Sequence, residues 1–177
     1  MEIQDDCLFR SCIKVPESSG MCAFAEFLGD DMDAKVTDMT LPHIDEYADL
    51  FVEVFNSAPW NDSWTRQTAL DRIRSMMDCP SFTGKAIYRG DDLLGVIWGQ
   101  KEPYYDGIHF LVQEFCVRAC EQKKGYGTRL LTALRDSLAN ISVTNIYLVT
   151  ARGGAEEWYA RRGFRTSERM ILMTSRF

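Results

Sequence analysis

The sequence predicts an α+β domain in which strands and helices follow one another without an internal repeat, after an acidic N-terminal extension. Apolar and β-branched segments of strand length alternate with segments whose apolar residues recur at helical spacing. The 177 residues also fall within the range of about 100 to 200 residues that is usual for one domain. We therefore divide the chain into an extension, residues 1–33, and a folded domain, residues 34–177.

The first part of the domain predicts one strand and two helices. The strand covers Ala34–Met39, and a helix follows with Thr40 as its N-cap and an end near Phe55. A second amphipathic helix runs from Thr65 to about Asp78, before a proline that cannot continue it. Each helix carries one apolar face, which should pack on the sheet.

The second part predicts three strands in succession, a helix, a further strand and a short helix. Their ranges are Phe82–Tyr88, Leu93–Lys101, Ile108–Val117, Gly127–Asn140, Thr144–Ala151 and a short helix within Ala155–Phe164. The residues Gly90-Asp-Asp92 form the turn between the first two strands.

The extension, residues 1–33, predicts a β-hairpin. Two apolar segments, Leu8–Val15 and Met21–Leu28, are joined by the turn sequence Pro16–Gly20. Apolar residues on both arms have to be covered, either by the domain or by a second copy of the chain. We therefore expect the hairpin to form the contact of a homodimer.

The net charge of -6 comes from the extension and not from the domain. Residues 1–33 hold eight acidic and two basic residues, which leaves 18 of each sign in the domain. A charge-balanced domain without a basic stripe is not typical of nucleic-acid binding. We interpret the local run Arg161-Arg162, with Arg165, as a solvated helix end.

Composition also indicates where the protein resides. No apolar segment approaches the roughly 20 residues that span a bilayer, and the acidic N-terminus lacks the basic start of a signal peptide. We therefore expect a cytoplasmic protein without a membrane partner. The six cysteines show no Cys-x-x-Cys spacing and are accompanied by only two histidines, which predicts neither a metal site nor a disulfide framework.

A glycine-rich segment, Gln122-Lys-Lys-Gly-Tyr-Gly127, connects a predicted strand to a predicted helix. The first N–H groups of a helix have no partner within it, and the helix dipole adds partial positive charge there. The two glycines let the backbone approach an anion, the two lysines supply charge, and the Thr128 hydroxyl supplies a hydrogen bond. The segment predicts a phosphate-binding turn, with an ordinary tight strand-to-helix turn as the alternative.

Two familiar phosphate-binding loops do not fit this segment. The dinucleotide fingerprint has a third glycine where Leu130 stands, and the Walker loop has Gly-Lys-Ser/Thr where Thr128 follows the second glycine directly. The remaining pattern is Gln/Arg-x-x-Gly-x-Gly/Ala after a strand that ends in Val117. It resembles the acetyl-CoA loop of the GNAT superfamily of N-acetyltransferases.

A second segment, Ala155-Glu-Glu-Trp-Tyr-Ala-Arg-Arg-Gly-Phe164, makes the resemblance more specific. It is similar at every named position to the superfamily pattern Ala-x-x-aromatic-Tyr-x-x-x-Gly-Phe. The resemblance covers Ala34–Phe177 and implies the GNAT fold. That fold has a central mixed, mostly antiparallel sheet, splayed at the acetyl-CoA strand and flanked by helices; the N-terminal hairpin would be an addition to it.

The resemblance also implies acetyl-CoA as the co-substrate, without a metal ion. The pantetheine amides would pair with the main chain of the splayed strand, and the pyrophosphate would lie on the turn. The implied contacts are Phe115, Cys116, Val117, Gln122, Lys123, Lys124, Gly125, Tyr126, Gly127 and Thr128. Arg152 stands where the superfamily often has an Asn that contacts pantetheine, so it either reaches a phosphate instead or the contact is lost.

Two residues are candidates for proton transfer. Tyr159 matches the superfamily tyrosine that commonly protonates the coenzyme A thiolate, and a phenol stays protonated at neutral pH. A tyrosine packed between helix and sheet is the alternative. Glu114 is the candidate base, because burial among apolar strand residues would raise the pKa of its carboxylate. Strand bulges leave its direction open, and some members relay the proton through water to distant carboxylates.

The acceptor pocket should lie between the first two helices and the sheet. Its candidate walls are aromatic residues, which also attract cationic amines: Trp60, Trp64, Trp98, Tyr104 and Tyr105. Core packing or loop anchoring would explain each of them as well. Asp62 or Glu102 could attract the amine.

These residues predict an N-acetyltransferase that moves the acetyl group of acetyl-CoA to a primary amine of a small molecule by direct attack in a ternary complex. A protein lysine or N-terminal acetyltransferase is one alternative, and it would need an open groove for a peptide. A non-catalytic acetyl-CoA-binding module is the other alternative.

Overall fold

The computed structural model describes residues 33–175, which form one five-stranded sheet with helices on both faces. In chain order the elements are β1 (Ala34–Asp38), α1 (Ile44–Phe55), α2 (Arg66–Met77), β2 (Phe82–Arg89), β3 (Asp92–Tyr104), β4 (Gly107–Val117), α3 (Tyr126–Ala139), β5 (Val143–Leu148) and α4 (Gly154–Ala160). The sequence predicts this order of elements correctly. The predicted N-terminal hairpin lies outside the described residues.

The sequence predicts Thr40 as the N-cap of α1, and this prediction is wrong. A short 3₁₀ turn, Leu41–His43, comes first, so that α1 begins only at Ile44. The Thr40 side chain makes no capping hydrogen bond. Its amide instead donates to the Tyr47 hydroxyl at 3.1 Å, because Tyr47 turns toward the segment that precedes the helix.

The predicted start of α2 is confirmed within one residue, and it has a clear cause. Thr65 Oγ1 accepts a hydrogen bond from the Thr68 amide at 3.1 Å, and Thr68 Oγ1 accepts one from the Thr65 amide at 3.0 Å. This reciprocal cap satisfies two amide groups at the end of the helix. It fixes the point where the loop from α1 enters α2.

The strands lie in the sheet in chain order, β1-β2-β3-β4-β5. The pairs β1–β2, β2–β3 and β3–β4 are antiparallel, whereas β4 and β5 are parallel. One apolar cluster packs α1 and α2 on one face of the sheet, with Trp98 and Cys116 among its strand residues. A second cluster packs α3 and Tyr159 of α4 on the other face, with Ile97 and Phe115.

The sheet opens between β4 and β5, as the GNAT fold implies. β5 pairs with β4 only along Ile108–Val112, while the pairing of β4 with β3 continues to Val117. A bulge between the partners of Trp98 and Gly99 leaves Gln113 of β4 without an opposite residue. On its β5 side, the pairing of β4 therefore ends at Val112, and Phe115, Cys116 and Val117 have no strand partner there within the described residues.

Two further observations concern residues 33–175 as a set. No helix in this range is long and apolar enough to cross a bilayer. The same range contains no group of three or more His, Cys, Asp or Glu side chains placed to hold a metal ion.

Candidate active site

The turn between β4 and α3 has a conformation suited to an anion. Gln122 Nε2 donates to the Val117 carbonyl at 3.0 Å and ties the turn to the end of β4. Lys123 and Gly125 adopt positive φ angles of 66° and 89°. When left-handed and right-handed backbone conformations alternate, successive N–H groups point toward the same side. Because α3 begins at Tyr126, the first N–H groups of the helix also point into this turn.

A cavity of about 350 Å³ lies in front of this turn. One wall is formed by Val117 and the turn through Thr128, and the other by Trp158, Arg161 and Arg162 at α4. A Cβ atom on Gly127 would lie 3.5 Å from the Trp158 ring, so the glycine keeps this part of the cavity open. The volume is within the range of about 300 to 1,000 Å³ that small-molecule sites occupy.

Lys124 forms an ion pair with Glu121. Its Nζ lies 3.0 Å from Glu121 Oε2, and Glu121 also accepts from Arg89 Nη2 at 2.9 Å and Nη1 at 3.1 Å. Burial would raise the pKa of Glu121, but the hydrogen bonds from Arg89 and Lys124 outweigh it and hold that pKa below its usual value. Of the two predicted phosphate-binding lysines, only Lys123 lines the cavity.

Arg162 also lines the cavity, which corrects its interpretation as part of a solvated helix end. Its guanidinium Cζ lies 3.6 Å from the centre of the Trp158 ring, and its Nη2 donates to Thr128 Oγ1 at 2.7 Å. Arg161 also lines the cavity but is exposed. No local sequence signal indicates this position, because Arg162 lies beyond the end of α4 at Ala160.

Phe115, Cys116 and Val117 lie on the part of β4 that has no partner on its β5 side. The side chains of Phe115 and Cys116 are fully buried, so only their main chain is available to a ligand, whereas Val117 also lines the cavity. Burial, followed by the nearby Glu114 carboxylate, raises the pKa of the Cys116 thiol, which makes it a poor nucleophile. The free edge can pair with ligand amides in the way that an added strand would.

Tyr159 is held beside this free edge by aromatic contacts. Its ring centre lies 6.4 Å from that of Phe115, 5.1 Å from that of Trp158 and 5.2 Å from that of Phe164. The residue is 2% exposed, so its ring is fixed by packing. Tyr126, another predicted cofactor contact, is buried in the same apolar cluster as Tyr159.

This geometry coincides with a match to a known family. Residues 44–164 match the family model of the acetyltransferase (GNAT) family. The chain belongs to this family. GNAT acetyltransferases use acetyl-CoA as the acyl donor. The turn, the cavity and the free edge of β4 offer N–H groups, room and main-chain partners that suit such a cofactor.

Solved structures share the GNAT fold at low sequence identity. An acetyltransferase of Trypanosoma brucei has a TM-score of 0.64 and 14% identity over 81% of this chain and 100% of the other. An aminoglycoside acetyltransferase from an uncultured soil metagenomic sample, in complex with trehalose, has a TM-score of 0.67 and 12% identity over 83% and 98%. AAC(6')-Iy in complex with the bisubstrate analogue CoA-S-monomethyl-acetylneamine has a TM-score of 0.64 and 12% identity over 81% and 99%. Comparison with curated protein sequences found no match.

On the α1–α2 face of this GNAT domain, Glu114 forms an ion pair that the sequence did not predict. The carboxylate points to the face covered by α1 and α2, since Glu114 is paired with Trp98 across the bulge. Arg72 of α2 donates to Glu114 Oε1 from Nε at 3.0 Å and from Nη2 at 2.5 Å. The signal for Arg72 is its position directly before the buried Ile73.

The three predicted tryptophans lie on this same face, at different depths. Trp98 is fully buried and stacks on Phe51 at 5.9 Å, so it has no exposed surface for a ligand. Trp60 and Trp64 are partly buried and pack against the same cluster. The Trp64 ring centre lies 6.0 Å from Arg72 Cζ, which places this ring beside the Arg72–Glu114 pair.

The two predicted tyrosines lie apart from Glu114. Tyr104, at the end of β3, and Tyr105, in the turn that follows, are both exposed. Glu114 lies seven positions after Gly107 along β4, a distance of roughly 23 Å. Glu102, near this turn, accepts a hydrogen bond from the Tyr147 hydroxyl.

Asp62 and Arg152 lie in two different loops. Asp62 accepts a hydrogen bond from Trp64 Nε1 at 3.1 Å, so it is part of the loop that leads into α2. Arg152 is exposed in the connection between β5 and α4 and is not among the residues that line the cavity. A contact of Arg152 with a phosphate therefore stays a prediction.

Proposed function

We propose that the protein is an N-acetyltransferase that transfers the acetyl group of acetyl-CoA to a primary amine of a small molecule while both substrates are bound. The observation that carries this proposal is the free edge of β4, Phe115–Val117. Tyr159 and the cavity border one face of this strand, and the Arg72–Glu114 pair borders the other. A donor from the cavity and an acceptor from the α1–α2 side would meet at this edge.

On the donor side, the turn holds the diphosphate and the free edge of β4 holds the pantetheine arm. The thioester of acetyl-CoA supplies an activated acyl group once it is bound. The Val117 carbonyl accepts one hydrogen bond, from Gln122, which ties the end of the free edge to the turn. Main-chain pairing of this kind would hold the pantetheine arm in an extended position along β4, and this would determine where the thioester lies.

The chemical step requires two proton transfers. The neutral amine nitrogen attacks the thioester carbonyl carbon; a C–N bond forms, the C–S bond breaks, and the sulfur leaves as a thiolate. We assign Tyr159 as the acid that protonates this thiolate, because its ring is fixed beside the β4 edge. We assign Glu114 as the base that takes the amine proton, directly or through water, because its carboxylate lies on the α1–α2 face of β4, next to the free edge.

Two observations favour a small amine over a peptide as the acceptor. The loop that carries Trp60 and Trp64 is closed by two hydrogen bonds of 2.8 Å between the Asn56 side chain and the Trp64 main chain. A loop held in this way restricts the space for an acceptor on the α1–α2 side, which suits a small amine better than a peptide. Aminoglycoside acetyltransferases also occur among the proteins of similar fold.

Thiol release from acetyl-CoA with a panel of acceptors tests this function. The panel contains polyamines, aminoglycosides, single amino acids and lysine-containing or free N-terminal peptides, each at the same concentration. We expect at least one small primary amine to give saturable thiol release and peptides to give none. Turnover only with peptides would support the protein acetyltransferase. Binding of acetyl-CoA without turnover of any acceptor would support a non-catalytic module.

A further inference from the structure

Arg162 is a partly buried cation held in the cavity by uncharged partners. Its Nη2 and Nε donate to Thr128 Oγ1 at 2.7 and 3.3 Å, and its Nη1 donates to the Trp158 carbonyl at 3.0 Å. The guanidinium also lies over the Trp158 ring, with Cζ 3.6 Å from the ring centre. These contacts fix the cation between the first turn of α3 and the end of α4.

The charge of Arg162 has no carboxylate partner among the residues the structure describes; its hydrogen bonds there go to a hydroxyl and a carbonyl oxygen. Burial, and then the charges of Arg161 and Arg135, lower its pKa from the usual arginine value. An arginine nevertheless stays charged at neutral pH. A partly buried cation without a counter-charge is unfavourable, so an anion in the cavity would stabilise it.

Arg162 and Thr128 both keep hydrogen-bond donors for such an anion. A guanidinium has five N–H donors, of which three are used in the contacts described above, so two remain. The Thr128 hydroxyl accepts from Arg162, which leaves its own O–H group to donate. Both groups lie at the first turn of α3, where the helix N–H groups also point outward.

We propose that Arg162, oriented by Thr128 and Trp158, binds the diphosphate of coenzyme A, next to Lys123, which also lines the cavity. This inference rests on the proposed function, because it takes acetyl-CoA as the ligand. The planar guanidinium fork can bind two phosphate oxygens at once. Lys124 is less suited to the role, since its Nζ is paired with Glu121 at 3.0 Å.

Calorimetric titration of the full chain with coenzyme A and with dephospho-coenzyme A, which lacks only the 3'-phosphate, tests the proposal. We expect Arg162→Gln to weaken both affinities by the same factor of about 10 or more, since hydrogen bonds between charged groups are lost. Arg162→Lys should lie between this variant and the wild type. Arg74→Gln removes an exposed arginine of α2 and is the matched control, with an unchanged Kd.

Equal Kd values of the wild type and Arg162→Gln for coenzyme A would overturn the proposal. A loss seen with coenzyme A but not with dephospho-coenzyme A would assign Arg162 to the 3'-phosphate and overturn the diphosphate assignment. Failure of the wild type to bind either compound would instead sink the proposed function. If Arg162→Gln does not fold, Thr128→Ala should weaken binding of both compounds a few-fold, and an unchanged Kd would overturn the proposal.

Discussion

Arg72 donates two hydrogen bonds to the same carboxylate oxygen of Glu114, at 3.0 Å from Nε and 2.5 Å from Nη2. The Glu114 side chain is 4% exposed and that of Arg72 is 26% exposed, so the pair is largely removed from water. It connects α2 to the β4 residue that follows the bulge. Any account of proton transfer at Glu114 has to include this guanidinium.

Loss of Arg72 should destabilise the fold more than loss of both partners. We expect Arg72→Met to lower the free energy of unfolding by about 3 kcal/mol, because a buried carboxylate loses its counter-charge. The double variant Arg72→Met/Glu114→Gln should lose less. Arg74→Met, on the exposed side of α2, should stay within about 0.5 kcal/mol of the wild type. Denaturant unfolding measures all three, and equal midpoints for Arg72→Met and Arg74→Met would contradict the expectation.

Replacement of the Glu114 carboxylate should slow the chemical step. We expect Glu114→Gln to lower kcat about 100-fold, which is typical for loss of a general base. The KM for acetyl-CoA should change little, because the residue faces the α1–α2 side and not the cavity. Initial rates of the wild type and of Glu114→Gln should be compared from about pH 6 to about pH 9. Amines begin to lose their protons in about this range. An unchanged kcat would remove Glu114 from the mechanism.

The Tyr159 hydroxyl should matter for turnover and little for packing. Tyr159→Phe keeps the ring that contacts Phe115 and Phe164, so the Tm should change by only a few degrees. We expect kcat to fall about 100-fold if the phenol protonates the thiolate. Calorimetric affinity for coenzyme A, measured in parallel, should stay the same. A variant with full kcat would leave Tyr159 with a packing role alone.

A methyl group at Gly127 should interfere with the donor without harming the fold. Gly127 lies in the first turn of α3, and its Cβ would meet Trp158 at 3.5 Å, an ordinary contact. Alanine in a helix is favoured over glycine by up to about 1 kcal/mol, so Gly127→Ala should melt at the same temperature or higher. We expect the KM for acetyl-CoA to rise several-fold because the cavity narrows. An unchanged KM would place the donor elsewhere.

The N-terminal extension supplies the contact of a homodimer in our interpretation of the sequence. A chain shortened to begin at Ala34 should then be monomeric, whereas the full chain should be dimeric. Multi-angle light scattering at several protein concentrations gives both masses. The same number of copies in both proteins would show that residues 1–33 do not form the contact.

Patterns of local origin were predictable from the sequence, and contacts between distant segments were not. Thr65 caps α2 through Thr68, three residues away, so the boundary is encoded in one short segment. The Arg72–Glu114 pair joins residues 42 positions apart, and nothing in either local segment specifies the partner.

The turn between β4 and α3 also has a part that was predictable from the sequence and a part that was not. Gln122 to Gly127 is a contiguous segment, and its place at the start of α3 is predictable from its glycines. Arg162 reaches Thr128 from 34 residues away, and a run of arginines after a helix is more often solvated. Its inward direction depends on how α4 packs against β4 through Tyr159, which is a property of the fold.

The stoichiometry of acetyl transfer tests the central claim most directly. The protein is mixed with acetyl-CoA and the most active amine of the panel, and free thiol and acetylated amine are measured in the same sample, the latter by mass spectrometry. The account predicts equal amounts of the two products, and neither product when the amine is omitted. Thiol release without acetylated amine, or no release with any primary amine, would contradict it.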